Sequence, residues 1–182
     1  MLPPSRPQQA KSKTQALLTK ARVDDAVALV GIRGYYRDSM GVSGENDRGI
    51  YDDAIFLVSP NAYATFNANT DPSVKRQGIA VLKPGVHRYR KGKHGLSKPG
   101  GGYPALRPAT PGEQLPVTRD ETGDSMGIAI NIHRGGTRTT SSEGCQTIHP
   151  AQWSAFVALA YSEMDRAGQK TIPYLLVEEG NA

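Results

Sequence analysis

The chain has only one cysteine among its 182 residues, Cys145, and it lacks long apolar runs. A single cysteine cannot form an internal disulfide, which excludes the small disulfide-stapled folds of secreted proteins. No stretch approaches the length of a membrane span, and the opening MLPPSRPQQAKSKTQ lacks the apolar segment of a secretory signal. We therefore expect a protein that is cytoplasmic as synthesised and makes no stable membrane insertion.

Aromatic residues are also scarce, at 7% of the chain, while the net charge is +5 and the pI is near 9.4. A positive surface attracts polyanions such as nucleic acid, acidic lipid or an acidic cell-wall polymer. The basic residues are scattered apart from the N-terminal tail and residues 87–94, without the pattern of interleaved aromatics that a single-strand binder needs. We therefore expect no nucleic-acid partner.

The remaining composition is that of a globular protein, with 37% apolar residues, 20 glycines and 13 prolines. This length and composition favour one domain that is rich in turns and short strands. Residues 1–14 are rich in Pro, Gln, Ser and Lys, so we expect a flexible arm there and a single catalytic domain over residues 15–182.

Apolar periodicity predicts the main elements. A short helix is expected within residues 13–25, and the strands are expected within 26–36, 54–67 (a hairpin), 78–92, 127–133 and 171–179. Proline and glycine are so frequent from 92 to about 116 that a long loop is predicted there. Residues 150–168 carry apolar side chains at helical spacing, with Pro150 near the start and Gly168 past the end.

These elements predict an α+β fold that is β-rich. Its core is expected to be a twisted sheet or sandwich-like, with one well-defined helix after the cysteine loop and a short N-terminal helix.

The segment HRGGTRTTSSEGCQTIHP, residues 133–150, contains the cysteine and two of the four histidines. A catalytic cysteine needs a base for its thiol and donors for an oxyanion. His133 ends a predicted strand and can serve as the base for Cys145. Main-chain amides near Gly144 and Cys145 can hold the oxyanion, and Ser142 can hydrogen-bond in the loop or orient the imidazole.

The strand ending in INIH, the polar loop and the sequence SEGC together resemble the catalytic segment of the L,D-transpeptidase (YkuD-like) family. The matching positions are His133, Gly135, Ser142, Gly144 and Cys145. The resemblance implies a β-rich fold, a cysteine nucleophile with a histidine base, and a substrate in the peptide stem of bacterial peptidoglycan. A wider likeness, from GIRGYYRDSMG to GCQTIHPAQW, is to uncharacterised phage and prophage proteins.

Some positions depart from the family pattern. Arg134 follows the histidine where the family usually has glycine, and the spacing of 12 positions from His133 to Cys145 is shorter than is typical. Thr147 stands where the family commonly has Arg or Asn to hold the substrate, and Arg134 or Arg138 can take over that role. We assign substrate contacts to Arg134, Arg138, Gln146 and Thr147.

Three other interpretations of Cys145 and of the protein remain open. Cys145 can be a small buried apolar residue. It can bind zinc with His133 and with His87, His94 or His149, although no compact zinc spacing is present. The protein can also be a non-catalytic wall-binding or virion structural module, which its pI suits.

For the remaining histidines and for two aspartates we expect no catalytic role. We expect His87 and His94 to be exposed, His149 to be a surface or helix-start residue, and Asp52 and Asp53 to end a turn.

The sequence thus predicts a peptidoglycan stem-peptide hydrolase that resembles an endolysin and uses a Cys–His acyl-enzyme mechanism. The alternatives are L,D-transpeptidase cross-linking or exchange, a zinc-dependent peptidoglycan amidase or peptidase, and the structural module. We expect no cofactor and no metal, a monomer, and action in the periplasm or cell wall after release or export.

Overall fold

The computed structural model of the protein describes residues 1–97 and 99–182. The strands are β1 (Ala28–Arg33), β2 (Asp53–Val58), β3 (Tyr63–Asn69), β4 (Ala80–Leu82), β5 (Gly85–His94), β6 (Tyr103–Pro108), β7 (Gln114–Arg119), β8 (Gly123–Ile128), β9 (Ile132–Arg134), β10 (Gln146–Ile148) and β11 (Thr171–Glu178). The helices are α1 (Lys11–Lys20) and α2 (Pro150–Arg166), and a 3₁₀ turn covers Glu179–Asn181.

Eight strands form a closed barrel in the order β1-β11-β5-β6-β9-β10-β3-β2, and β4, β7 and β8 form a second, three-stranded sheet. The pairs β1–β11 and β9–β10 are parallel, and the others are antiparallel. The predicted β-rich α+β class is confirmed. Alternation along each strand does not distinguish an open twisted sheet from a closed barrel, because both bury one face.

Two apolar clusters hold these elements together. The larger one joins barrel residues such as Leu29, Tyr89 and Leu106 with Trp153 and Phe156 of α2. In the second cluster, Leu17 and Leu18 of α1 cover Val30, Ile32 and Phe56. Successive side chains of a strand point to opposite faces, so β1 is buried along its whole length by contributing to both clusters.

The helices lie close to where the sequence predicts them. Helix α2 has Pro150 as its first residue, and His149 caps it by accepting the Ala151 N–H at 3.2 Å, which confirms the helix-start position of His149. Helix α1 begins at Lys11, inside the segment predicted as an arm, and Pro3 and Pro7 of that segment are buried. No helix in the described part of the chain is long and apolar enough to cross a membrane.

The long loop predicted from 92 to about 116 is wrong for the described residues, because β5 continues to His94 and both β6 and the start of β7 fall within it. Lys98 lies outside the described residues. The prolines of β6 are at Pro104 and Pro108, close to its two ends, where a missing N–H interrupts little of the ladder. The strand predicted over 127–133 is divided, since Ala129 has a φ of 57° between β8 and β9.

A buried ionic cluster lies where β1, β2 and the segment after β3 meet. Asp53 accepts the backbone N–H groups of Gly34 and Thr70, and the Arg48 guanidinium is 3.4 Å from the carboxylate of Asp71. Burial, followed by the charge of Asp53, raises the pKa of Asp52 to about 8 and that of Asp71 to about 7.

Candidate active site

The loop before β10 brings Cys145 next to β9. Strands β9 and β10 are parallel neighbours in which Gln146 pairs with Ile132 and Thr147 with His133. The Gln146 N–H donates to the Asn131 carbonyl at 2.9 Å. The residue just before β10 therefore lies beside the residue just before β9, and His133 follows two positions along β9.

Ser142 and Gly144 fix the loop that carries the cysteine. The Ser142 hydroxyl donates to the Cys145 carbonyl at 2.7 Å and accepts the Gly144 N–H at 3.1 Å. Gly144 has a φ of 134°, and a Cβ at this position would lie 2.7 Å from the Ala80 carbonyl oxygen. Only glycine fits at position 144 without strain. The two hydrogen bonds of Ser142 match its predicted role within the loop, and they do not involve the imidazole of His133.

The thiol of Cys145 is half-buried and contacts two backbone groups. The Asn131 N–H donates to Sγ at 3.3 Å, and Sγ is 3.5 Å from the Ala129 carbonyl oxygen, to which the thiol donates. Burial raises the pKa of Cys145 to about 11, against the lowering effect of the Asn131 N–H. Cys145 is therefore a neutral thiol at neutral pH.

His133 is buried and its ring is oriented by a carbonyl group. Its Nδ1 lies 2.8 Å from the carbonyl oxygen of Arg134. A carbonyl oxygen only accepts hydrogen bonds, so Nδ1 carries the proton and the basic lone pair of the neutral ring is on Nε2. The Tyr103 hydroxyl donates to the same carbonyl at 3.2 Å, which further fixes this side of the ring.

His94 is a third side chain of the site, which the sequence named only as one possible zinc ligand. Its ring stacks on that of His133, with centroids 3.8 Å apart and planes at 14°. Its Nδ1 is 3.2 Å from Nδ2 of Asn131, the residue whose N–H donates to the cysteine. The expectation that His94 is exposed is wrong, because β5 extends far enough to place it half-buried against β9.

His87 is also buried rather than exposed, but it lies away from this group. Its Nε2 is 2.8 Å from the Lys83 carbonyl oxygen. Burial, the largest influence, lowers the pKa of His87. Among residues 1–97 and 99–182, no group of three His, Cys, Asp or Glu side chains is placed to share a metal ion.

A cavity of about 370 Å³ opens beside these side chains, and its lining includes His94, Ile128, His133, Ser141, Glu143 and Cys145. Ser141 and the neighbouring Ala129, which also lines it, have φ values of 55° and 57°. Residues without a glycine's freedom rarely adopt this conformation, and it is concentrated at functional sites. The cavity is therefore the candidate active site.

The four predicted substrate contacts are placed elsewhere. The Arg134 guanidinium lies 4.8 Å from the centroid of the Tyr103 ring, and both Arg134 and Arg138 are exposed outside the cavity lining. Gln146 is fully buried, accepting a hydrogen bond from Tyr174 and donating one to the Gly144 carbonyl. Thr147 is fully buried beside the Asn69 carbonyl. We therefore assign Gln146 and Thr147 to the barrel structure and no longer to substrate binding.

The predicted oxyanion donors reduce to one. The Gly144 N–H is already bonded to Ser142, whereas the Cys145 N–H has no hydrogen-bond acceptor among the described residues. An amide next to the nucleophile is where an oxyanion donor is needed. Cys145 can therefore supply both the thiol and the amide.

No protein-family profile, curated protein or solved structure gives a significant match to this chain. The resemblance to the L,D-transpeptidase family therefore remains a prediction from the sequence.

Proposed function

We propose that this protein is a cysteine acyl-transfer enzyme that hydrolyses the stem peptides of bacterial peptidoglycan. The observation that carries the proposal is the cavity shared by Cys145 and His133, in which a backbone carbonyl orients the imidazole. A thiol, a base with a fixed tautomer and an amide donor are the parts that acyl transfer to cysteine requires. The resemblance of the SEGC segment to L,D-transpeptidases supplies the substrate class.

In the proposed reaction, Cys145 Sγ attacks the carbonyl carbon at the L,D bond between meso-diaminopimelate and D-alanine. His133 Nε2 takes the thiol proton as the C–S bond forms, and the Cys145 N–H donates to the oxyanion. The C–N bond then breaks, and the D-alanine amine leaves with the proton that His133 held. Water, activated by the same imidazole, hydrolyses the thioester and restores the thiol.

The protonation state of the cysteine decides when the proton moves. Because the pKa of Cys145 is about 11, the resting enzyme holds a thiol rather than a preformed thiolate. His133 therefore acts as a general base during the attack. This differs from cysteine enzymes that rest as a thiolate–imidazolium pair.

Three alternative functions differ in what they require of Cys145 and His133. If an amine resolves the thioester, the product is a cross-link or an exchanged stem, which is the transpeptidase alternative. A zinc amidase would need further ligands beside Cys145 and His133, and a wall-binding or virion structural module would need neither. Action in the wall, after release or export from the cell, remains part of the proposal.

The proposal is tested by incubating the purified protein with sacculi and identifying the released muropeptides by mass spectrometry. The expected product is tripeptide stems and free D-alanine, absent with Cys145→Ala and unaffected by a chelator. Loss of activity with the chelator and its rescue by zinc would favour the amidase alternative. Intact tetrapeptides and cross-links with the wild-type protein would overturn the proposal, and unchanged binding to sacculi by Cys145→Ala would then favour the structural module.

A further inference from the structure

A second cavity, of about 310 Å³, adjoins the one that holds Cys145. The two cavities share Ile128 and Ala129 as lining residues, and the second is also lined by Arg90, Arg107 and Glu113. A ligand bonded to the cysteine would reach this second space past Ile128, where two arginine side chains are part of the lining. The chemistry of that space determines which part of a substrate it can hold.

Arg90 and Arg107 are directly opposite each other on the neighbouring strands β5 and β6. Like charges in such cross-strand positions destabilise a sheet. The side chain of Arg107 passes over Gly92, where an added Cβ would lie 3.0 Å from Cγ and Cδ of Arg107. The glycine thus leaves room for the Arg107 side chain, which lies on the same face of the sheet as Arg90.

No acidic side chain among the described residues forms an ion pair with Arg90 or Arg107. All ion pairs between described residues are formed by side chains other than these two arginines. Among the hydrogen bonds of the described residues, the two guanidinium groups donate to carbonyl oxygens, Arg90 to that of Lys91 at 3.3 Å and Arg107 to that of Lys93 at 3.4 Å. Glu113 also lines the cavity, and its carboxylate accepts the Thr110 N–H at 2.8 Å within the turn that joins these two residues.

Arg90 also has a buried donor that lacks a partner. Its Nε has no hydrogen-bond acceptor among the described residues. A buried polar group without a hydrogen-bond partner destabilises the folded protein. A planar anion can satisfy Nε and a terminal nitrogen of one guanidinium together, since the fork geometry matches a carboxylate.

We infer that Arg90 and Arg107 form a carboxylate subsite that holds an acidic group of the acyl donor while Cys145 attacks its carbonyl. The inference rests on the proposed function and adds to it the feature of the substrate that the enzyme selects. Stem peptides carry free carboxylates near the diamino acid, so the subsite selects stems in which that carboxylate is not amidated. It also places recognition on β5 and β6 rather than on Arg134 or Arg138.

The first test measures the subsite without any wall substrate. Cys145 is the only cysteine, so its labelling rate with 6-maleimidohexanoate can be compared with that of the matching carboxamide. We expect the carboxylate to react at least about fivefold faster than the carboxamide with the wild-type protein, because charge-assisted hydrogen bonds favour it. The ratio should fall to about one in R90Q/R107Q and be partly retained in R90K/R107K.

Arg88→Gln is the control for loss of one positive charge from β5, because Arg88 pairs with Asp25 outside both cavities. Its ratio should equal that of the wild type. A wild-type ratio near one, or an equal ratio in R90Q/R107Q, would overturn the subsite. A thermal unfolding curve of each variant identifies any that fail to fold, and R90K/R107K then supplies the comparison.

The second test uses stem tetrapeptides with the side-chain carboxyl of the diamino acid either free or amidated. With the free acid, R90Q/R107Q should raise KM about tenfold or more and change kcat little, while KM for the amide should not change. Equal KM values for both peptides with the wild type would overturn the inference. If neither peptide is cleaved but the maleimide ratio holds, the subsite stands and the proposed function falls.

Discussion

The imidazole rings of His94 and His133 are stacked in the candidate active site, 3.8 Å apart between centroids. The stack joins the end of β5 to β9 and covers one face of the proposed base. His94 in turn is 3.2 Å from the side chain of Asn131, whose backbone N–H donates to Cys145. One chain of contacts therefore connects the thiol, the base and a second histidine.

His94→Ala is expected to lower kcat about tenfold, because a base that has lost one of the contacts around its ring is held less often in the reactive geometry. His94→Phe keeps a stacking ring but loses the Asn131 contact, and it should restore most of the lost kcat. The measurement is kcat and KM on a stem tetrapeptide. Equal kcat for the wild type and His94→Ala would show that the stack does not position His133.

The alkylation rate of Cys145 should keep rising with pH from 6 to 9.5, by up to about tenfold per pH unit, because only the thiolate reacts. This follows from burial, which raises the pKa of the thiol to about 11. Iodoacetamide labelling followed by intact mass spectrometry measures the rate, and His133→Gln should give nearly the same profile. A rate that levels off below pH 7 would instead indicate a preformed thiolate.

Gly144→Ala should lower the free energy of unfolding by about 2 kcal/mol or more, since a strained backbone and a close contact act together. Gly85→Ala is the matched control, because Gly85 has a φ of 138° with no described heavy atom within 4 Å of its added Cβ. Both variants carry the backbone strain, but only Gly144→Ala meets the Ala80 carbonyl. Chemical denaturation measures the difference, and equal losses would mean that the close contact has no cost.

The stability of the protein should depend on Asp52. Its pKa is raised to about 8 in the folded state, against about 3.9 in an unfolded chain, so the folded state holds the extra proton between these values. The stabilisation is therefore fully present below about pH 4 and is lost as the pH rises towards 8, with a slope of up to about 1.4 kcal/mol per pH unit.

Asp52→Asn should flatten this slope and stabilise the protein at pH 8 relative to the wild type. The measurement is urea unfolding at pH 5 and pH 8, with the exposed Asp24→Asn as the control. If Asp52→Asn retains the wild-type slope, Asp52 is not the group that holds the proton.

The sequence predicted the Cys145 and His133 pair from the strand that ends at His133 and from the polar loop with SEGC that follows it. The structure then makes β9 and β10 parallel neighbours. It predicted α2 because the apolar periodicity there covers more than four turns. Both inferences use residues that are close in the sequence or belong to one regular pattern.

The rest of the site depends on long-range pairing. His94 on β5 and His133 on β9 come together because both strands flank β6 in the barrel. The prolines and glycines of that region predicted a loop in place of β6. Asn131 is placed by the bend at Ala129, for which no glycine or proline gave a signal. The alternation of residues 87–94, followed to its end, was the one available indication that His94 belongs to a strand.

In the proposed mechanism, Cys145 forms a covalent acyl-enzyme with a stem peptide. The most direct measurement is intact-protein mass spectrometry after rapid acid quenching of the protein with a disaccharide tetrapeptide, followed by peptide mapping. We expect an adduct on the peptide that contains Cys145, with an added mass equal to that of the disaccharide tetrapeptide minus one molecule of D-alanine, because the acyl group replaces the thiol hydrogen. Release of D-alanine by a Cys145→Ala variant at the wild-type rate, with no adduct on the wild-type protein, would contradict it.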